Sequence, residues 1–266
     1  MKKLLVLFVL LAVLVGCSSQ PQTKVIKVGA SVTPHAEILK YIADDLKAKG
    51  YTLEVIEYTD YVQPNLALDK GDIDANYFQH QPYLTKFNTE HKLSLVDAGK
   101  IHYEPFALYG GSKKSLNDLA AGDKIAVPND ATNEARALQL LAANELIKLK
   151  DGVGLNATKQ DIVENPKNLD IVELEAAQLS KSLSDVAFAV INGNYAIQAN
   201  LSVKKDALLV EDEKSEAANT FANLIAVKSG KENDEGIKLL VSLLKSDKVK
   251  KFVDEKYNGG VIVLTK

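Results

Sequence analysis

The sequence predicts an α/β fold in which strands and helices alternate along the chain. Residues 25–30 and 124–128 are mostly apolar segments of strand length, and apolar residues recur at helical spacing between Ile38 and Leu46. Residues 186–191 are apolar at every position, which is typical of a parallel strand buried on both faces. Together these patterns favour mostly parallel sheets covered by helices.

The first predicted strand, 25–30, is followed by a helix whose ends are marked in the sequence. Thr33 suits a helix cap, Pro34 suits the first helical position, and Gly50 closes the helix. The next predicted segments are a strand, a short helix and three further strands: 53–58, 65–70, 73–78, 93–98 and 106–109.

A second unit begins at Lys113. Its predicted segments are a short helix, a strand, a long helix, a strand with a helix, a buried strand and a final strand: 116–119, 124–128, 133–150, 172–184, 186–191 and 221–227. Two helices and a strand close the chain: 237–245, 249–253 and 261–264. The length of 266 residues suits two lobes, and we predict a first lobe of residues 25–110 and 222–266 and a second lobe of residues 111–221.

The N-terminus has the layout of an export signal with a lipid anchor. Lys2 and Lys3 precede an apolar run that is too short for a permanent membrane-spanning helix, which needs about 20 residues. The run ends in Leu-Val-Gly-Cys, which resembles the lipobox of bacterial lipoproteins, and Cys17 is the single cysteine. We predict a signal peptide at 1–16, lipidation at Cys17, a tether at 17–24 and a location at the membrane, facing the periplasm or cell exterior. The alternative is a secreted protein with an incidental cysteine.

Composition and motifs favour a binding protein over an enzyme. After removal of residues 1–16 the chain carries 30 basic and 35 acidic residues, a net charge of −5, which does not suit a nucleic-acid partner. There is no Gly-x-Ser-x-Gly motif and no phosphate-binding Gly-Lys-Ser loop. No pair at metal-ligand spacing occurs among the four histidines, so we predict no metal site and no cofactor: His35, His80, His91 and His102. A zinc site assembled from distant positions is the alternative.

Arg136 is the only arginine among 32 basic residues. The segment 128–133 follows a strand and begins a helix, so Arg136 lies in or near a first helical turn, where the dipole favours an anion. Backbone amides and a guanidinium would together bind a ligand carboxylate, which arginine grips with two hydrogen bonds. A surface ion pair with Glu134 or another acid explains the position equally well.

Two asparagines lie where a ligand could contact them. Asn192 ends the apolar strand 186–191, and ligands of open α/β sheets bind beyond the carboxyl ends of strands. Asn223 shares a strand face with Phe221 and Ile225, so its amide is expected to be buried and to need a partner. A structural amide bonded to the backbone is the alternative for each of them.

Aromatic residues cluster after two predicted strands. Tyr61 follows one strand, and Phe78, His80 and Tyr83 follow the other. Such a cluster is either core packing or the wall of a pocket. Export, a lone arginine and amides at strand ends favour the pocket, and aromatic walls suit an apolar or sulfur-containing side chain.

Several of these segments resemble the NlpA-type lipoproteins, the methionine-binding proteins of a bacterial ABC importer. The resemblance is carried by Tyr-Val-Gln-Pro-Asn at 61–65, by the segment from Asp72 to Leu84, and by Val-Pro-Asn-Asp-Ala-Thr-Asn at 127–133 with Arg136. It runs from about Lys27 to the C-terminus and includes Asn192 and Tyr195. It implies a type II periplasmic-binding-protein architecture, with two α/β lobes around a ligand cleft.

The resemblance also implies roles for individual residues. Arg136 would grip the carboxylate of an amino acid, and Asn192 and Asn223 would bond its amino and carboxylate groups. The side-chain pocket would be lined by four residues: Tyr61, Phe78, His80 and Tyr83. Ala131 stands where many relatives have proline.

We therefore predict a monomeric, lipid-anchored substrate-binding protein that captures methionine, passes it to an ABC importer permease and performs no chemistry. One alternative is a binding protein for another small amino acid or a short peptide. Another is a surface adhesin lipoprotein without a transport role, and a third is an exported hydrolase, which the missing nucleophile disfavours.

Overall fold

The computed structural model describes residues 24–212 and 217–264, and within these ranges the chain forms two larger β-sheets and one small one. The strands of the described residues, in chain order, are β1 Lys24–Ser31, β2 Tyr51–Tyr58, β3 Ala75–His80, β4 Leu95–Tyr103, β5 Ala107–Gly110, β6 Lys124–Pro128, β7 Lys148–Leu149, β8 Ile162–Glu164, β9 Asp170–Leu174, β10 Phe188–Ile191, β11 Ala207–Val210, β12 Asn223–Lys228 and β13 Ile262–Val263.

Helices separate most of these strands. In chain order they are α1 Glu37–Tyr41, α2 Ala43–Ala48, α3 Gln63–Lys70, α4 Gln81–His91, α5 Ala131–Ala143, α6 Ala176–Leu179, α7 Gly193–Gln198, α8 Ala217–Thr220, α9 Glu235–Leu244 and α10 Asp247–Tyr257. An irregular turn at Val32–Ala36, within which Thr33 has an extended backbone, precedes α1. Short 3-10 turns complete the pattern: Leu116–Asp118, Gly154–Asn156, Lys159–Asp161 and Lys181–Ser184.

The two larger sheets divide the described chain into two units. The first sheet has the strand order β13-β4-β12-β3-β1-β2, and the second has the order β11-β5-β10-β6-β9. The chain leaves the first sheet after β4, enters the second at β5, and returns between β11 and β12. Buried side chains such as Val28, Ile38 and Leu240 pack around the first sheet, while Leu108, Ile125 and Leu138 belong to a separate core beneath the second.

The sheets are mixed rather than mostly parallel, which corrects the expectation from the sequence. β1 pairs in parallel with β2 and β3, and β6 pairs in parallel with β9 and β10. The outgoing strands β4 and β5 pair antiparallel with β12 and β11, respectively. Because the chain passes between the units twice in opposite directions, the strands on either side of the crossings run against each other.

The predicted long helix 133–150 is wrong in its length. The helix α5 ends at Ala143, and Glu145 adopts a left-handed backbone conformation with φ of 58°. The amide of Leu146 then donates to the carbonyl of Leu141, which turns the chain into β7. The sequence reading also missed α4, α7 and β11, whereas the short helix at 65–70 is confirmed as α3, capped by Gly71 with φ of 86°.

Cys17 and the predicted signal peptide lie outside the described residues. Within the described part of the chain, no helix is both long and apolar enough to span a membrane.

Candidate functional site

Seven residues that the sequence singled out line one cavity between the two units: Tyr61, Phe78, His80, Tyr83, Arg136, Asn192 and Asn223. The cavity volume is about 20 Å³, so these residues pack closely around the site. Five residues that the sequence reading did not select complete its lining: Gln79, Glu104, Asn133, Gly193 and Asn194. The structure thus brings the predicted residues together, while their role in ligand binding stays a prediction.

Aromatic rings form one wall of the cavity. The ring centroid of Tyr61 lies 5.6 Å from that of Phe78 and 5.9 Å from that of Tyr83, and the last two are 6.0 Å apart. These separations are typical of favourable tilted and edge-to-face pairs. The hydroxyl of Tyr83 donates to the carbonyl of Tyr61 at 3.0 Å, so the wall is braced and presents mainly its ring carbons.

His80 connects this wall to the opposite unit. Its Nδ1 caps α4 by accepting the amide hydrogen of Tyr83 at 3.2 Å, so the ring hydrogen lies on Nε2 and is donated to Asn133 Oδ1, also at 3.2 Å. Burial, and secondarily the charge of Arg136, lowers the pKa of His80 to about 3. His80 is therefore neutral at physiological pH and has its tautomer fixed by its neighbours.

Arg136 lies in the second turn of α5 and is buried. Its Nε and Nη2 contact the two carboxylate oxygens of Glu211 at 2.9 and 2.5 Å, and Nη2 also donates to the carbonyl of Glu104 at 3.3 Å. The guanidinium carbon lies 4.1 Å from the ring centre of Phe221. The alternative of an ion pair holds for another acid, Glu211, but the pair is mostly buried rather than at the surface. Glu134 is not the partner, because it accepts the amide hydrogen of Lys159.

The amide of Asn192 has a fixed orientation. The carboxylate of Asp130 accepts from Asn133 Nδ2 at 2.9 and 3.0 Å, which turns Asn133 Oδ1 towards the cavity side. Asn192 Nδ2 donates to that oxygen at 3.1 Å. Asn192 Oδ1 is consequently left as a buried acceptor with no partner among the described residues.

Asn223 has the opposite polarity. Its Oδ1 accepts a hydrogen bond from His35 Nε2 at 2.9 Å, so its NH₂ group is left to face the cavity that it lines. The side chain is buried, as the sequence predicted, but its partner is a histidine from another element rather than the backbone. One asparagine therefore offers an acceptor to the cavity and the other offers a donor.

Glu104 is the acidic side chain of the cavity lining. Tyr77 hydrogen-bonds His102 Nδ1, and His102 Nε2 in turn donates to Glu104 Oε1 at 2.8 Å. His35 Nε2 lies 3.4 Å from the same oxygen. Burial lowers the pKa of His35 to about 4 and that of His102 to about 3, whereas burial raises the pKa of Glu104.

His35, His102 and Glu104 also form the one group of possible metal ligands found among the described residues, with ligand atoms within 4.8 Å of one another. The prediction of no metal site was made because no histidines pair at metal-ligand spacing, and this cluster instead joins His35 to His102 and Glu104 about 70 residues later, as in the alternative of a site assembled from distant positions. Asn223 engages His35 Nε2 and Tyr77 engages His102 Nδ1, so these nitrogens belong to a hydrogen-bonded network, while His35 Nδ1 is buried without a partner among the described residues.

The residues missed by sequence reasoning carried weak signals. Asn133 lies in the same loop-to-helix segment as Arg136, and its spacing from Asp130 marks a helix cap, which the structure contains. Glu104 is a lone acid between the apolar residues Ile101 and Phe106, where an unpaired charge would be costly. Neither signal indicates that the two residues meet at one cavity.

The sequence pattern of the NlpA lipoproteins matches residues 26–264. The chain belongs to the NlpA lipoprotein family. The resemblance inferred from the motifs is confirmed, and members of the NlpA family with solved structures share the two-lobed fold.

Three similar proteins illustrate the relationship. The methionine-binding lipoprotein MetQ of Bacillus subtilis is 44% identical over 277 residues, covering 98% of each chain. A lipoprotein structure from Ruminococcus gnavus is 58% identical with a TM-score of 0.90, covering 91% of this chain and all of that one. A nutrient-binding protein of Burkholderia cenocepacia, solved with methionine bound, is 46% identical with a TM-score of 0.86, covering 90% and 100% of the two chains.

Proposed function

We propose that this NlpA lipoprotein is the substrate-binding component of an ABC importer and that it captures methionine in the cavity between its two units. The observation that carries the proposal is one cavity that combines an aromatic wall with a guanidinium and two asparagines of opposite polarity. Relatives at this level of identity are named for methionine binding, and one was solved with methionine bound.

The polar residues suit the two ends of a free amino acid. Arg136 is held by Glu211 and presents a planar donor group, and Asn223 adds the hydrogens of its NH₂ group. Both would bind the ligand carboxylate. Asn192 Oδ1, a buried acceptor without a partner among the described residues, would accept from the ligand ammonium.

The aromatic wall suits the methionine side chain. Tyr61, Phe78 and Tyr83 offer polarizable ring faces, and a thioether gains about 0.3–1.5 kcal/mol from contacts of this kind. A charged side chain would be buried there without a partner, which disfavours aspartate and lysine. We expect methionine to bind about tenfold or more tightly than leucine, because small differences in an apolar pocket are worth about 1–3 kcal/mol.

Binding would stabilise a closed arrangement of the two units. The hydroxyl of Tyr61 in the first unit donates to Asn194 Oδ1 of the second at 2.5 Å, and Tyr195 in the second donates to the carbonyl of Thr59 at 3.1 Å. A ligand that contacts both units adds to these bonds only when the units are together. It therefore shifts the population towards the closed form, without any chemical step.

The anchor and the partner belong to the same proposal. Lipidation of Cys17 would tether the protein, as a monomer, outside the cytoplasm beside the permease that receives the ligand. Stable attachment needs more than one acyl chain, which lipoprotein processing would supply. Cys17→Ala should abolish incorporation of a labelled fatty acid and release the protein from the membrane fraction, and retention of both label and membrane attachment would contradict the anchor.

Ligand identity can be tested with a thermal-shift panel of the twenty amino acids and a set of dipeptides. The protein should first be unfolded and refolded to remove any bound ligand. Methionine is expected to give the largest increase in Tm. A larger increase from a dipeptide or another amino acid would support that ligand instead, and no response to any of them would favour the adhesin alternative.

A further inference from the structure

The two charged side chains that line the cavity are balanced in different ways. The guanidinium of Arg136 faces the carboxylate of Glu211 across two hydrogen bonds. The carboxylate of Glu104, although also buried, is approached by neutral N–H groups, chiefly those of His102 Nε2 and of the Asn194 backbone. A buried carboxylate without a directly bonded cation is costly unless a cation joins it when the ligand binds.

A chain of buried groups holds Glu104 as an acceptor. The hydroxyl of Tyr77 donates to His102 Nδ1, so His102 carries its hydrogen on Nε2 and donates it to Glu104 Oε1 at 2.8 Å. Tyr77 and His102 are both fully buried. The carboxylate is therefore held by a buried donor, and Glu104 is also one of the residues that line the cavity.

The start of α7 presses against the same carboxylate. A Cβ atom at Gly193 would lie 2.6 Å from Glu104 Cβ and 2.8 Å from Glu104 Oε2, so only glycine permits this approach. The preceding residue, Asn192, also lines the cavity, and its Oδ1 is a buried acceptor without a partner among the described residues. Glu104 and Asn192 thus bring two acceptors from different elements to one cavity, and Glu104 is the acidic side chain among the described residues that line it.

We propose that Glu104 is the residue that binds the ligand ammonium, with Asn192 Oδ1 as the second acceptor, and that His102 and Tyr77 are positioning residues for Glu104. The inference rests on the proposed function, because it assigns the second charge of a zwitterionic ligand. An ammonium has three hydrogens to donate, and these acceptors satisfy two of them. The cavity accordingly selects ligands with a free α-amino group and rejects N-acylated and des-amino compounds.

The test is a cycle of two proteins and two ligands by calorimetric titration. L-Methionine is compared with 4-(methylthio)butanoate, which lacks only the amino group, in the wild-type protein and in Glu104→Gln. The wild-type protein should bind L-methionine at least 100-fold more tightly than 4-(methylthio)butanoate. In Glu104→Gln the affinity for methionine should fall about 30-fold or more, whereas the affinity for the des-amino ligand should change less than threefold. The protein should then discriminate little between the two ligands.

A matched variant controls for the loss of a buried acid. Glu134→Gln changes another buried glutamate that does not line the cavity, and it should leave the affinity ratio of the two ligands unchanged. The inference is overturned if Glu104→Gln binds methionine as tightly as the wild type, or if the substitution lowers the affinity for both ligands by the same factor. Thermal unfolding of the ligand-free variants identifies any that fail to fold.

The positioning role needs a separate variant pair. His102→Leu removes the donor to Glu104 and should lower the ratio of the two affinities about tenfold, whereas His102→Gln keeps a neutral donor and should restore it to within threefold of wild type. If His102 had only a structural role, His102→Leu would lower the affinities for both ligands by the same factor and leave their ratio unchanged.

Failure of the proposed function gives a different result. If wild-type protein does not bind methionine, that function is wrong, and the same cycle is run with the amino acid that gives the largest thermal shift and its des-amino analogue. If no amino acid binds, both proposals are overturned.

Discussion

The Arg136 region and the Glu104 region each bury a charge at the cavity, and they differ in what balances it. Arg136 is paired with the carboxylate of Glu211 and stacked near the ring of Phe221. Glu104 is held by dipoles, since burial keeps the neighbouring imidazoles of His35 and His102 neutral. The basic region is therefore completed during folding, whereas the acidic region is completed by the ligand.

Because the two charges are balanced differently, substitutions in the two regions should have different effects on the free energy of unfolding and on ligand affinity. Removing one partner of a buried ion pair leaves an uncompensated charge and costs about 3–5 kcal/mol. Removing a buried charge that lacks a bonded counter-ion has no such penalty and is expected to be close to neutral in the ligand-free protein. Substitutions in the Arg136 region should therefore affect both folding and affinity, and those in the Glu104 region should affect mainly affinity.

The largest effect is expected for Arg136→Met. Glu211 would keep its charge in a mostly buried site, so the free energy of unfolding should fall by about 3–5 kcal/mol, and methionine binding should be lost. Chemical denaturation and calorimetric titration measure the two effects. Arg136→Lys retains the charge without the planar fork and should weaken binding about 10- to 100-fold.

The matched control is the double variant Arg136→Met with Glu211→Met. Replacing both partners of a buried pair by apolar residues is often neutral, so this protein should recover most of the lost stability while binding remains absent. A single Arg136→Met protein as stable as the wild type would show that the pairing with Glu211 contributes nothing, and the contrast between the two regions would fail.

The two asparagines allow a second test, because they offer opposite groups to the cavity. Asn223→Asp replaces a donor by a carboxylate where the ligand carboxylate is proposed to bind, and like charges in contact cost several kcal/mol. Asn192→Asp keeps an acceptor towards the proposed ammonium and loses the donor to Asn133. We expect Asn223→Asp to weaken methionine binding at least tenfold more than Asn192→Asp, as measured by calorimetric titration.

The pH dependence of stability tests whether the histidines near Glu104 are neutral. His35, His80 and His102 have folded pKa values near 4, 3 and 3, below the ordinary value of 6.5. The unfolded chain then binds more protons, so stability is full above about pH 6.5 and falls as the pH is lowered towards 4. Each histidine contributes at most about 1.4 kcal/mol per pH unit, and the raised pKa of Glu104 offsets part of this.

We expect a net loss on the order of 2 kcal/mol between pH 6.5 and pH 5 by denaturant titration. Nitrogen chemical shifts of the three buried rings should remain those of neutral imidazole at pH 5. Protonated rings at that pH would make Glu104 part of an ion pair, like Arg136, and would remove the difference between the two regions.

The same two regions show what the sequence could and could not predict. Arg136 and the aromatic residues were recognisable because a lone arginine and a dense aromatic segment stand out locally. Glu104 gave only a weak local signal, and the cluster that it forms with His35 and His102 gave none, since its contacts join a turn near residue 35 to a segment about 70 residues later. Alternation of apolar runs predicted most strands of the first unit, but the mixed pairing depends on how the chain crosses between sheets, which local periodicity does not encode.

The ends of some helices and strands were also predicted wrongly, for a related reason. The helix α5 stops at Ala143 because Glu145 adopts a left-handed conformation, although Leu146 continues the apolar spacing. The domain division at 25–110, 111–221 and 222–266 also stays a prediction. Strand pairing places β5, at 107–110, in the second sheet, so the change of sheet occurs between β4 and β5.

The smallest expected effect concerns closure, on which both regions depend. Tyr61→Phe removes the hydroxyl that donates to Asn194 Oδ1 across the two units and leaves the aromatic wall in place. A neutral hydrogen bond contributes about 0.5–1.5 kcal/mol, so affinity for methionine should fall about 3- to 10-fold, mainly through faster dissociation in stopped-flow measurements.

Tyr51→Phe is the matched control for this variant. It removes a hydroxyl bonded to Glu235 at 3.0 Å within the first unit, away from the cavity, and should leave the dissociation rate unchanged. Because the Tyr61 hydroxyl contacts neither Arg136 nor Glu104, its loss should weaken methionine and the des-amino ligand by the same factor. A change in their ratio would mean that Tyr61 acts on the ammonium site itself, and closure could not then be treated as common to the two charged regions.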